Sequence, residues 1–158
     1  MPEIQHHVGI QAPIERVHAH FATLEGLADF WTTTVEGDPA PGGTLRFYFG
    51  GPDAAAVMDV LEVTANRVVW RCVDGPEEWI GTEFTFDLSV GDDETVVYFT
   101  NTGWREVKEF MGHCTTKWGY FLLGLKSTLE GAAPVSYPND RAIISWESSS
   151  RAARLPSA

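Results

Sequence analysis

EVKEFMGHCTTKWGYFLLGLKSTLE, residues 106–130, carries the longest helical pattern in this chain of 158 residues. At about 100° per residue, Val107, Phe110, Met111, Cys114, Trp118, Phe121, Leu122, Leu125 and Leu129 fall within one stripe roughly 120° wide. A stripe of that width suits a helix lying with one face on a sheet, and Gly131 supplies the stop. The spacing predicts one helix from about Glu106 to Glu130. His113 and Cys114 are sequence neighbours, but on a helix they point about 100° apart and form no dyad. Cys114 centres the apolar stripe, where cysteine packs as a small hydrophobe unless a cation lowers its pKa. His113 shares a flank with Lys117 and Tyr120 instead.

Such a helix needs a sheet to cover, and the upstream sequence provides one. Thr44–Phe49, Ala55–Thr64, Arg67–Val73, Trp79–Val90 and Thr95–Asn101 read as strands bounded by Gly, Pro, Asp or Asn. Their connections are hairpin-short, which implies antiparallel pairing. In Trp79–Val90, the parity of Ile80, Phe84, Phe86, Leu88 and Val90 is expected to face the core, and that of Trp79, Glu83, Thr85, Asp87 and Ser89 to face away. In Arg67–Val73 the inward parity is that of Val68, Trp70 and Cys72. Thr34–Gly37 is a candidate short strand.

Further back, Ile4, His6, Val8 and Ile10 alternate with polar or small residues, as in a half-buried strand. Pro13 then suits the first turn of a helix carrying Ile14, Val17, Phe21 and Leu24. LADFW, ending at Trp31, makes a second short helix. The expected architecture is α+β: a curved antiparallel sheet of six or seven strands around the long C-terminal helix, with two short helices after the first strand. Residues 1–131 form a single domain in this reading. Residues 132–158 show no sustained period and are expected to be an extension, docked in part through AIISW and frayed at the Ser/Arg-rich end.

Composition narrows the functional classes. The formal charge is −11, from 22 acidic and 11 basic residues. Nucleic-acid binding needs clustered Lys and Arg to displace phosphate counterions, and no such cluster occurs. The same repulsion disfavours anionic membrane surfaces. The N-terminus, MPEIQHHVGI, lacks a basic region followed by an apolar run, and no apolar stretch is long enough to span a bilayer. Cys72 and Cys114 form neither a CxxC pair nor a disulfide framework, which points to a reduced, cytoplasmic protein.

Motifs of reaction chemistry are sparse. His6 and His7 point to opposite faces of a strand, and His18 and His20 are about 200° apart on a helix, so neither pair chelates a metal. The HExxH, GxSxG and phosphate-loop patterns are absent. Glu77–Glu78 and Asp92–Asp93 are acidic pairs in loops, where charge is ordinarily solvated. The aromatic residues, 12% of the chain, are more informative. They recur on every element around the long helix, as either a solid aromatic core or a partly hollow one whose walls bind a ligand.

LADFWTTTVEGDPAPGGTLRFYF and GWREVKEFMGHCTTKWGYFLLGLKSTLEGAAPVSYPND resemble segments of the Hsp90-ATPase-activator-like family of the START-like, or SRPBCC, superfamily. The likeness covers roughly Ile4 to Asp140. It implies the helix-grip fold, also called Bet v 1-like, with a container between sheet and C-terminal helix. In such a container the walls would be Trp31, Phe47, Phe49, Met58, Trp70, Phe84, Phe86 and Tyr98. Trp104, Cys114, Trp118, Phe121 and Leu122 would complete them from the connection and the helix. The function implied is binding of a small, largely apolar molecule, as carrier, sensor or sequestering protein, with no cofactor. One alternative is a cyclase- or hydratase-like enzyme using the same cavity, with Tyr98, His113 or Tyr120 as candidate catalytic groups. Another is a chaperone-interacting module, which would show a contiguous exposed apolar patch.

Overall fold

Seven strands form one antiparallel sheet in the computed structural model of the chain, which describes residues 1–147. β1 (Ile4–Ile10) leads into α1 (Ile14–Ala22) and α2 (Leu24–Phe30). β2 (Val35–Gly37), β3 (Thr44–Tyr48), β4 (Ala55–Thr64) and β5 (Arg67–Asp74) follow. β6 (Glu83–Gly91), β7 (Glu94–Thr102) and α3 (Glu109–Leu129) complete the order. Across the sheet the strands run β1-β7-β6-β5-β4-β3-β2. Successive strands from β2 to β7 pair with their neighbours, and β1 closes the sheet on β7, with Ile4 opposite Asn101 and Ile10 opposite Thr95. The register of β4 on β5 shifts at Val57/Met58 and again at Val60/Glu62. Bulges of this kind bend a strand and increase its twist. The curved sheet is what lets one face wrap a helix.

That face carries the residues whose parity marks them as apolar. Val68, Trp70 and Cys72 on β5, Phe84, Phe86 and Leu88 on β6, and Val97 and Phe99 on β7 are all buried. α3 lays Met111, Cys114, Trp118, Phe121, Leu122, Leu125 and Leu129 against them. Trp118 sits at the centre, with ring centroids 4.6 Å from Phe99, 4.8 Å from Trp31 and 5.6 Å from Phe84. α1 and α2 cover the rest of the face, where Phe21 stacks on Phe86 at 4.3 Å. The two short helices meet so closely at Gly26 that a Cβ there would strike the backbone carbonyl of Ala19.

Three local expectations differ from the structure. α3 starts at Glu109 rather than Glu106, because Lys108 is extended (φ −130, ψ 169) and Val107, 74% exposed, lies outside the helix. The guanidinium of Arg105 holds this connection elsewhere, donating to the carbonyls of Glu77 (2.8 Å) and Ile80 (3.2 Å). Trp79–Val90 is not one strand. Glu77–Trp79 forms a single 3-10 turn, and β6 begins at Glu83. Trp79 is therefore buried and Ile80 is 39% exposed, the reverse of the strand parity. Pro76 before the turn and Gly81 at φ 87 after it account for the break. Val90, expected inward, is 76% exposed, because it stands at the tip of the β6–β7 hairpin, beyond the covered face.

Beyond α3 the chain turns back at Gly131 and runs along α2. Tyr137 N–H donates to the Trp31 carbonyl (2.8 Å), and Thr33 N–H donates to the Tyr137 carbonyl (2.9 Å). Ser136 Oγ donates to the carbonyl of Ala28 at 2.5 Å. Ser136, Asp140 and Glu147 are buried, whereas Ile143, Ile144 and Trp146 of AIISW remain exposed. The Ser/Arg-rich end expected to fray lies outside the described residues.

Candidate ligand-binding cavity

The core is filled where α3 crosses β6 and β7, and it opens toward the other edge of the sheet. There a cavity of about 670 Å³ lies between β4, the 3-10 turn, α3 and residues 137–147. Its apolar wall is mostly aromatic. Trp31, which ends α2, lies 4.8 Å from Trp118 and 5.9 Å from Trp79. Phe49 packs between Trp31 (5.1 Å) and Tyr137 (5.5 Å), and Phe110 and Phe121 contribute from α3. Trp79 owes its place to the turn pinned by Arg105. A further staple lies behind it: Trp104 Nε1–H donates to Asn101 Oδ1 (2.8 Å), and Asn101 Nδ2–H donates to the Glu83 carbonyl (3.1 Å).

One edge of the cavity is polar. Lys117 Nζ donates to Asp140 Oδ2 at 2.5 Å and to the Arg141 carbonyl at 3.1 Å, and lies 3.5 Å from Glu147 Oε1. The same Glu147 oxygen is 3.5 Å from His113 Nε2, while Glu147 Oε2 accepts from Ile143 N–H at 2.7 Å. Lys117, Asp140 and Glu147 are all buried. The ammonium also lies 5.3 Å and 5.2 Å from the ring centroids of Tyr120 and Phe121, within cation–π range. Buried charges persist only when paired and hydrogen-bonded, and this cluster meets that condition by drawing on two separate parts of the chain. Burial pulls the His113 pKa below its usual 6.5; Glu147 opposes the shift and Lys117 adds to it. The imidazole is thus neutral at physiological pH and can accept a proton. Its ring lies between Phe110 (6.1 Å) and Trp146 (4.7 Å).

The thiols are quiescent. Burial pushes the Cys114 thiol, in the cavity wall, up to about 12, against a smaller lowering by the Trp79 indole N–H. Burial likewise raises Cys72 to about 11, and its Sγ lies 3.3 Å from the Asp74 carbonyl oxygen. Neither is a thiolate near neutral pH, so neither is a poised nucleophile. Among the described residues no group of three or more His, Cys, Asp and Glu side chains is placed to hold a metal ion, and no helix is long and apolar enough to cross a membrane.

The candidate residues separate into four environments. Trp31, Phe49, Cys114, Trp118, Phe121 and His113 line the cavity. Phe47, Met58, Trp70, Phe84, Phe86, Leu122 and Trp104 are buried in the packed core and do not line it. Tyr98 stands on the outer face of the sheet, 39% exposed, donating its hydroxyl to Gln5 Oε1 at 2.7 Å. Tyr120 sits beside the cavity without lining it, and its oxygen accepts from Arg141 N–H at 2.9 Å. Among the wall residues that sequence reasoning missed are Trp79, Lys117, Tyr137, Asp140, Trp146 and Glu147. Pro76 and Gly81 were the available signal for Trp79. The others had none, since Lys117 reads as a flank residue and its partners lie in a segment without periodicity.

Residues 11–130 match the family described as activator of Hsp90 ATPase homolog 1-like protein. The chain belongs to that family. The Aha1 dimer from Colwellia psychrerythraea, solved in solution, is 35% identical, with a TM-score of 0.74; the match covers 83% of this chain and 98% of that one. Two further structures share the family's helix-grip fold at lower identity. DynU16, a protein in the dynemicin biosynthetic locus, is 18% identical with a TM-score of 0.72; the match covers 85% of this chain and 49% of that one. CalU16 from Micromonospora echinospora is 15% identical with a TM-score of 0.72, covering 96% of this chain and 81% of that one. This chain thus spans about half the length of DynU16. No curated protein matches the chain.

Proposed function

We propose that this family member binds a small, largely apolar molecule between the sheet and α3, and acts as a carrier, sensor or sequestering protein in the cytoplasm. The observation that carries this reading is the aromatic-walled cavity of about 670 Å³ between β4, the 3-10 turn, α3 and residues 137–147. That volume falls within the roughly 300–1,000 Å³ usual for small-molecule sites. Residues 132–147 are part of the binding unit in this reading, because Tyr137, Asp140, Trp146 and Glu147 form its outer wall. The test is a thermal-shift and fluorescence screen over fatty acids, sterols, flavonoids and polyketide-like aromatics. A ligand at 100 times its dissociation constant adds about 2.7 kcal/mol to stability, which raises the melting temperature by several degrees. It also changes the emission of Trp31, Trp79 and Trp118. Absence of both changes across the screen overturns the reading.

The cyclase- or hydratase-like alternative draws support from one contact, His113 Nε2 at 3.5 Å from Glu147 Oε1 in the cavity wall. A neutral imidazole held by a carboxylate is a competent general base. An enzyme would convert a bound polyketide-like ligand, with a rate that falls about 100-fold or more in His113→Gln. A carrier would return the ligand unchanged.

A further inference from the structure

We infer that the occupant is a planar aromatic molecule carrying an amine, directed at Glu147, and that a carboxylic acid of the same shape binds more weakly. This rests on the cavity reading above and specifies its ligand.

Lys117 would be the natural anchor for an acid, and it is already engaged. An ammonium has three protons. Asp140 Oδ2 and the Arg141 carbonyl take two at 2.5 and 3.1 Å, and Glu147 Oε1 faces the third at 3.5 Å. An incoming carboxylate could reach only that third proton, directly beside the Glu147 carboxylate, which repels it.

The charge balance favours the opposite sign. Inside the cavity one ammonium faces two buried carboxylates, Asp140 and Glu147, and burial keeps His113 uncharged at neutral pH. The rim adds Asp53 and Asp74 against Arg46. Arg46 is exposed on β3, where an ion pair with an acid is solvated and weak. The chain as a whole, at −11, repels anions from the opening. Glu147 Oε1 has its two cationic or donor neighbours at 3.5 Å each, longer than a strong hydrogen bond, so it retains capacity to accept from an ammonium.

The walls agree with the edge. Indole faces attract cations, most strongly when water is excluded. Trp31 packs on Trp118 at 4.8 Å and on Trp79 at 5.9 Å, so the three indoles form one continuous aromatic surface along the cavity wall.

The experiment measures dissociation constants by calorimetry for three probes of one shape: 1-naphthylmethylamine, 1-naphthalenemethanol and 1-naphthoic acid. The expected order is amine, alcohol, acid, with the amine roughly tenfold tighter than the acid, as one desolvated charge contact supplies. In Glu147→Gln the amine-to-alcohol ratio should shrink to about twofold or less. Raising the salt concentration on the wild-type protein should narrow the amine-to-acid ratio by screening the long-range attraction of the acidic chain, while the buried contact with Glu147 keeps the amine ahead, a check that does not depend on the variant's folding. An acid that binds as tightly as the amine overturns the charge preference and leaves the cavity reading intact. Failure of all three probes to bind overturns both.

Discussion

Lys117 shows how one side chain sets the character of the cavity. Its helix position alone would leave it on a solvated flank, yet it is buried between Asp140 and two aromatic rings. Removing one member of a buried pair strands the other charge, which commonly costs about 3–5 kcal/mol. Lys117→Met should therefore lower the unfolding free energy by about that amount, measured by denaturant titration. Adding Asp140→Asn should restore part of the loss, because the stranded charge is then removed. A loss under about 1 kcal/mol in the single variant would mean that water reaches Asp140. The sequence held no trace of this pairing, since Asp140 lies 23 positions further on, past the end of α3, in a segment without periodicity.

At the scale of elements, α3 was legible and the turn before β6 was not. A stripe repeated over six helical turns averages out any single ambiguous residue, so the facing of Cys114, Trp118, Leu122 and Leu125 followed from spacing alone. Trp79 and Ile80 occupy a segment of only a few residues, where strand parity and a 3-10 turn give opposite answers. Trp118 tests the helix. Its indole touches Phe30, Trp31, Phe84, Phe86 and Phe99. Trp118→Ala should cost about 3–5 kcal/mol in chemical denaturation, as expected for a large aromatic cut out of a packed site. A cost below about 1 kcal/mol would place Trp118 beside empty space on more sides than the cavity alone provides.

Across the whole molecule, two histidines tie α3 to its surroundings. His6 Nε2 on β1 lies 3.1 Å from Thr115 Oγ1, and His113 faces Glu147. Burial is the larger cause in both, and both pKa values fall below the ordinary 6.5. The unfolded chain therefore binds these protons at a higher pH than the folded one does. Their contribution is complete above about pH 6.5 and is lost as pH falls through the folded values. Melting temperature should drop on mild acidification, before the carboxylates titrate, and the drop should be smaller in a His6→Gln/His113→Gln double variant. A wild-type slope equal to that of the double variant over this interval would show that neither imidazole is buried in the neutral form.

Periodicity along the chain determined the architecture, because burial of one face leaves a mark every two residues in a strand and every three to four in a helix. Six of the strands, the two short helices, most of α3 and the inward faces of β5 and of Phe84–Leu88 on β6 follow from such marks, whereas the three-residue β2 was only a candidate. The division of the aromatic residues between solid core and cavity wall left no such mark. Phe47, Trp70 and Phe86 are as apolar as Trp31, Phe49 and Trp118, yet only the latter three border the cavity. That choice depends on how the bulged β4, the pinned turn at Trp79 and the returning segment from Tyr137 to Glu147 fit around one end of α3. It was made by three-dimensional packing among parts of the chain distant in sequence, and it set the site's charge through the same contacts.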